Sequence, residues 1–199
     1  MLTAAVPIQN FEKIRDRIAE ILALEIPSQA ALQGRADIDA EVYTSRMAPF
    51  DHTDLPCINV EFTRGDYPSR NSEKSDGTYL YHIDVFTKKP TTSSLEGGQA
   101  SSEVSQRIAG TVRAILSNPI YRTLNFAAPS LKHTEVNKIM IPEYLELEAV
   151  NYRLVRVVFS VDTIEGIEYA TPVPFGEALS SVSVDCTDNG FLYKILATP

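Results

Sequence analysis

A chain of 199 residues with 44% hydrophobic and 22% charged side chains has the makeup of one soluble globular domain, or one domain with substantial excursions. Its formal charge of −8 argues against a broad basic surface wrapped round nucleic-acid phosphates, though an acidic lining would let DNA pass without gripping it. Cys57 and Cys186 are too few for a disulfide framework and neither sits in a CxxC pair, so thiols kept reduced are expected.

The opening MLTAAVPIQNF lacks the basic head and continuous apolar core of a signal peptide. No apolar run reaches the roughly 18 residues that suggest a membrane span. Residues 10–25 carry the first periodic signal: Phe11, Ile14, Ile18, Ile21 and Leu22 recur at helical spacing, with Glu12, Lys13, Arg15, Asp16, Arg17 and Glu20 on the remaining faces. That pattern predicts an amphipathic helix capped by Asn10 and stopped before Pro27. Its polar face is mixed in charge, so its apolar stripe suits a sheet better than a membrane surface.

Residues 37–46, DIDAEVYTSR, alternate as a strand would. On a strand Asp37, Asp39 and Glu41 share one face, which raises a metal site. The calcium-loop glycine and other ligands of such a site are missing, so a solvated or subunit-facing surface is the expectation.

The chain is organised around residues 55–89. LPCINVEFT places Ile58, Val60 and Phe62 on one face. YLYHIDVFTK sets Tyr79, Tyr81, Ile83 and Val85 against Leu80, His82, Asp84 and Phe86. Between these strands TRGDYPSRNSEKSDG is too long for a tight hairpin turn and too polar for a core. Arg64, Asp66, Tyr67, Arg70 and Lys74 in it are candidates for docking contacts. His82 and Asp84 point the same way, which can fix a histidine tautomer or supply two metal ligands. With no nucleophile or third ligand at diagnostic spacing, an ordinary polar face is the simpler reading. A small-molecule-binding enzyme using this face, with the acids of 37–41 nearby, is the alternative of another class.

KPTTSSLEGGQASS reads as a flexible connection, with Glu96 a further contact candidate; its glycine pair lacks the spacing and lysine of a phosphate loop. In residues 101–118, Val104, Ile108, Val112, Ile115 and Leu116 make the apolar face of a second helix. Ser101 or Ser102 is its expected cap, and Gly110 its point of close approach. Residues 120–143 are irregular, with a short helix expected near 121–126 and a thin basic patch of Lys132, His133 and Lys138.

EAVNYRLVRVVFSVD is apolar on both faces: Val155, Val157, Phe159 and Val161 on one, Val150, Tyr152, Leu154 and Val158 on the other. It reads as a central strand covered on both sides. Arg153 and Arg156 fall on opposite faces. After a Pro-rich arm, LSSVSVDCT and FLYKILA form a terminal hairpin about the turn residues Asp188, Asn189 and Gly190.

Together these predict an α+β fold in a single domain over 1–199. It has a mixed, mainly antiparallel sheet covered on one face by two amphipathic helices, long loops and a C-terminal hairpin. The order and texture of FEKIRDRIAEIL, LPCINVEFT, YLYHIDVFTK, SEVSQRIAGTVRAILSN and NYRLVRVVFSVD resemble the tail-terminator and tail-completion (head–tail joining) proteins of tailed bacteriophages. The resemblance implies a ring, commonly of six copies, that caps the tail tube at its head-proximal end and joins it to the head. It implies no catalysis, no cofactor and no metal. Its partners would be further copies, the tube and sheath proteins and a head-completion or neck protein, in a virion assembled in the host cytoplasm. The excursions 120–147 and 162–180 leave room for a neck or baseplate role.

Overall fold

The computed structural model describes residues 5, 7–46, 56–68, 74–88, 94–126, 131–142, 152–166, 182–187 and 190–195. Residues Pro7–Ile167 form one compact unit, and Met1–Val6 with Glu168–Pro199 another.

The larger unit is a five-stranded sheet in the order β1-β2-β3-β5-β4. Its strands are β1 (Glu41–Thr44), β2 (Cys57–Asp66), β3 (Lys74–Lys88), β4 (Leu131–Met140) and β5 (Tyr152–Gly166). β1 pairs parallel with β2 and every other junction is antiparallel, as the predicted fold class requires. Helices α1 (Asn10–Gln33) and α2 (Ser94–Leu116) bury their apolar stripes against one face. Ile14, Ile18, Leu22 and Ile26 of α1 and Ile108, Val112 and Leu116 of α2 meet Ile58, Val60, Tyr81, Ile83, Val157 and Phe159 of the sheet. Each such side chain contributes about 1.5–3 kcal/mol on burial, which is why the alternation was so clear in the sequence.

Both helices outrun their expected limits. α1 passes through Pro27, which cannot donate to the Ala23 carbonyl. Pro27 and Ala23 are both exposed, so water can take the lost bond, while Ile26 and Ala30 on the inner side stay buried. The helix ends instead at Gly34, whose φ of 61° lets its N–H reach Ala31 and the Arg35 N–H reach Ala30. At the start Gln9, not Asn10, is the cap residue, and its backbone N–H donates to the Glu12 carboxylate at 3.0 Å. α2 begins at Ser94, so the expected flexible connection is half helical and neither Ser101 nor Ser102 is its cap. Ser101 is interior and buried; its carbonyl accepts from the Thr87 hydroxyl at 2.9 Å. Extending a packed helix by a turn is cheap once its nucleus exists, which offsets the poor propensity of two glycines. Gly110 does not serve close packing within the chain: it is exposed and a Cβ there meets nothing within 4 Å.

Residues 131–140, read as irregular, are β4, and the expected helix near 121–126 is a 3-10 turn at Pro119–Tyr121 followed by turns. Register shifts at Leu131/His133 and Val136/Lys138 break the alternation that would have revealed the strand. The predicted strand over 37–46 is only β1; Ala36–Ile38 is a 3-10 turn. In the smaller unit β6 (Val182–Thr187) and β7 (Gly190–Ile195) form the expected antiparallel hairpin, with Val182 opposite Ile195 and Val184 opposite Tyr193.

Candidate assembly surfaces

The sequence singled out the β2–β3 loop as a docking element, and the strands take most of it. β2 runs to Asp66 and β3 starts at Lys74, so residues 67–73 are all that lies between the two strands. β5 follows β3 to this end, with Gly166 opposite Lys74. Aromatic packing holds the base of the projection. Phe11 of α1 stacks on Phe62 at 4.6 Å, and Tyr67 meets the Tyr79 ring edge-on at 5.6 Å. The Tyr81 hydroxyl donates to the Phe11 carbonyl at 2.9 Å, tying helix to sheet.

Gly65 belongs to this packing, since a Cβ there would lie 3.2 Å from both the Tyr67 and Tyr79 rings. Its neighbours Arg64 and Asp66 pair with each other at 2.9 Å and are exposed, so the RGD triplet is the paired end of strand β2 and not part of a loop. Tyr67 is 52% exposed and offers a rigid aromatic surface beside them. Arg70 lies outside the described residues, and Lys74 opens β3.

The sheet face turned away from the helices carries the second group of candidates. One row across it reads Glu61, His82, Val158 and Lys138; the next reads Asn59, Asp84, Arg156 and Met140. His82 and Asp84 do share a face. Asp84, however, is buried and engaged at both oxygens by Arg156, with Nε and Nη2 each 2.7 Å away. That fork holds the Arg156 guanidinium above its ordinary pKa, chiefly through the hydrogen bonds to Asp84. His82 is pushed below its usual value, first by burial and then by the nearby Arg156 charge. The pairing removes Asp84 as a partner for His82 and leaves a neutral ion pair where chemistry would want an available acid or base. Arg153 takes the opposite face, where its buried Nε has no hydrogen-bond partner among the described residues.

The acids at the chain's first strand are dispersed. Asp37 sits in the 3-10 turn and pairs with Arg35 at 2.7 Å, so the common strand face of Asp37, Asp39 and Glu41 is not formed. Asp39 and Glu41 are exposed beside the β1 edge. Glu96 lies in the first turn of α2. Among the described residues no three His, Cys, Asp or Glu side chains are grouped to hold a metal, and no helix is long and apolar enough to cross a membrane.

Sequence reasoning missed both the Asp84–Arg156 fork and the β4 edge. Two lone charges interrupting apolar strands were visible signals for the fork, but only the β3–β5 register makes them neighbours.

No protein-family model and no curated protein matches this sequence. The chain is similar to a chain in a solved structure described as the virion of a native gene transfer agent (GTA) particle. The identity is 16%, the TM-score is 0.47, and the match covers 76% of this chain and 94% of that one.

Proposed function

We propose that this chain is a structural protein of a tailed-phage-like virion that acts by assembly and not by catalysis. In this reading copies form a ring, of six on the pattern of the family it resembles, at the head-proximal end of the tail. The ring caps the tube, stops its polymerisation and offers the surface that joins the head. The observation that carries it is the architecture. Two helices cover one face of a sheet built on the long β2–β3 ribbon, in the element order through which the sequence resembles tail-terminator and tail-completion proteins. The ribbon end, with exposed Arg64, Asp66 and Tyr67, is its contact with the neighbouring tail or neck component. The enzyme alternative loses ground because Asp84 is committed to Arg156.

Electron microscopy of tails assembled with and without the protein tests the reading. Over-length tubes in its absence are expected. Tubes of normal length that fail to join heads would move the role to the neck, and fully normal particles would exclude both.

A further inference from the structure

The sheet ends in two unlike edges. β1, β2 and β5 run one way and β3 and β4 the other, so the two edge strands, β1 and β4, are opposed in direction. A second copy laid alongside in the same orientation therefore brings its β1 antiparallel to β4, the more stable ladder. A two-fold β4–β4 contact would be antiparallel as well, so direction alone does not choose between them.

Charge does choose. Exposed Arg122 and Lys138 flank the β4 edge, Arg122 through its carbonyl, which accepts from the Thr134 hydroxyl at 3.2 Å. Exposed Asp39 and Glu41 flank the β1 edge. Of the other charges at these edges, Lys132 is matched by Asp76 at 2.6 Å and Asp37 by Arg35 at 2.7 Å, and Arg46 lies over the Tyr43 ring at 4.4 Å; Glu135, 3.7 Å from His133, is matched only when that imidazole is protonated. Among the described residues no ion pair compensates Arg122, Lys138, Asp39 or Glu41. A β4–β4 contact sets Arg122 and Lys138 against their own copies with Glu135 offsetting part of that charge, whereas β4 against β1 sets them against the acids Asp39 and Glu41.

We infer that copies of this chain join head to tail, β4 of one against β1 of the next, with Arg122 and Lys138 facing Asp39 and Glu41. The inference rests on the ring reading and names its junction. A heterologous contact repeated about a closing rotation makes a ring, and it occupies backbone groups that open edges leave exposed. The bulges of β4 discourage indiscriminate strand addition, which leaves charge as the selecting element.

Two charge-reversed variants test it, one carrying Arg122→Glu with Lys138→Glu and the other Asp39→Lys with Glu41→Lys. Mass would be followed by light scattering at low ionic strength. Each variant alone should need about tenfold or more protein for half-assembly, because every junction becomes like-charged. An equimolar mixture should regain the wild-type mass, since alternating copies restore opposite charges at every junction. Thermal melts confirm that both variants are folded. Variants that assemble normally alone, or folded variants that stay apart when mixed, overturn the junction and leave the ring reading standing. A wild-type chain that remains monomeric at every concentration overturns the ring reading and the junction with it.

Discussion

Arg156 and Asp84 show how much one polar pair inside a sheet can decide. Asp84 is 5% exposed, so its charge is tolerable only because both oxygens are held by the guanidinium. Arg156→Met should therefore cost about 3 kcal/mol in denaturant unfolding, because it strands a buried carboxylate. Adding Asp84→Leu to that variant should recover most of the loss, since an apolar pair of similar volume needs no partner. A double variant no better than the single one would show that the fork contributes more than charge balance. His82 gives a pH signature. The folded state favours its neutral form, so the unfolded chain binds the proton first as pH falls below about 6.5. Its contribution to stability is full above that pH and is lost as pH falls through the lower folded-state value. His82→Gln should flatten the decline in melting temperature just below pH 6.5, and an unchanged slope would remove His82 as the cause.

The elements themselves were legible where one face is buried and regular. The stripes of α1, α2, β2, β3 and β5 could be read because their buried positions follow a strict period of 3.6 or 2. β4 could not, because an edge strand with two bulges has neither an apolar face nor a constant register. Pro27, a helix breaker by local rules, does not end α1, which runs on to Gln33. Whether a proline stops a helix depends on which face it occupies and what the next turn buries, and both are tertiary facts. The ribbon end follows the same logic. The Asp76 N–H donates to the Pro68 carbonyl at 3.3 Å, so the two sides of the connection already lie close. Shortening the segment 69–73 should leave the melting temperature within a degree or two, roughly the scale of surface changes, while impairing assembly. A large fall in stability with assembly intact would make the segment structural and not a docking element.

At the scale of the molecule, the candidate contacts form three surfaces: the ribbon end and the two opposed sheet edges. That spacing suits a subunit that meets different neighbours in different directions, as the proposed ring must. The sequence by itself determined the fold class, the two helix stripes and the ribbon at the centre, because hydrophobic periodicity is a local record of burial. It also named Asp37, Asp39 and Glu41 as surface residues, though it grouped them on a strand face that does not form. Only the tertiary structure decided that β4 and β1 are the edges, that they run in opposite directions, and that Asp84 belongs to Arg156. Strand order, register and edge identity depend on pairings between residues far apart in the chain, and no local pattern of side chains encodes which strand lies beside which.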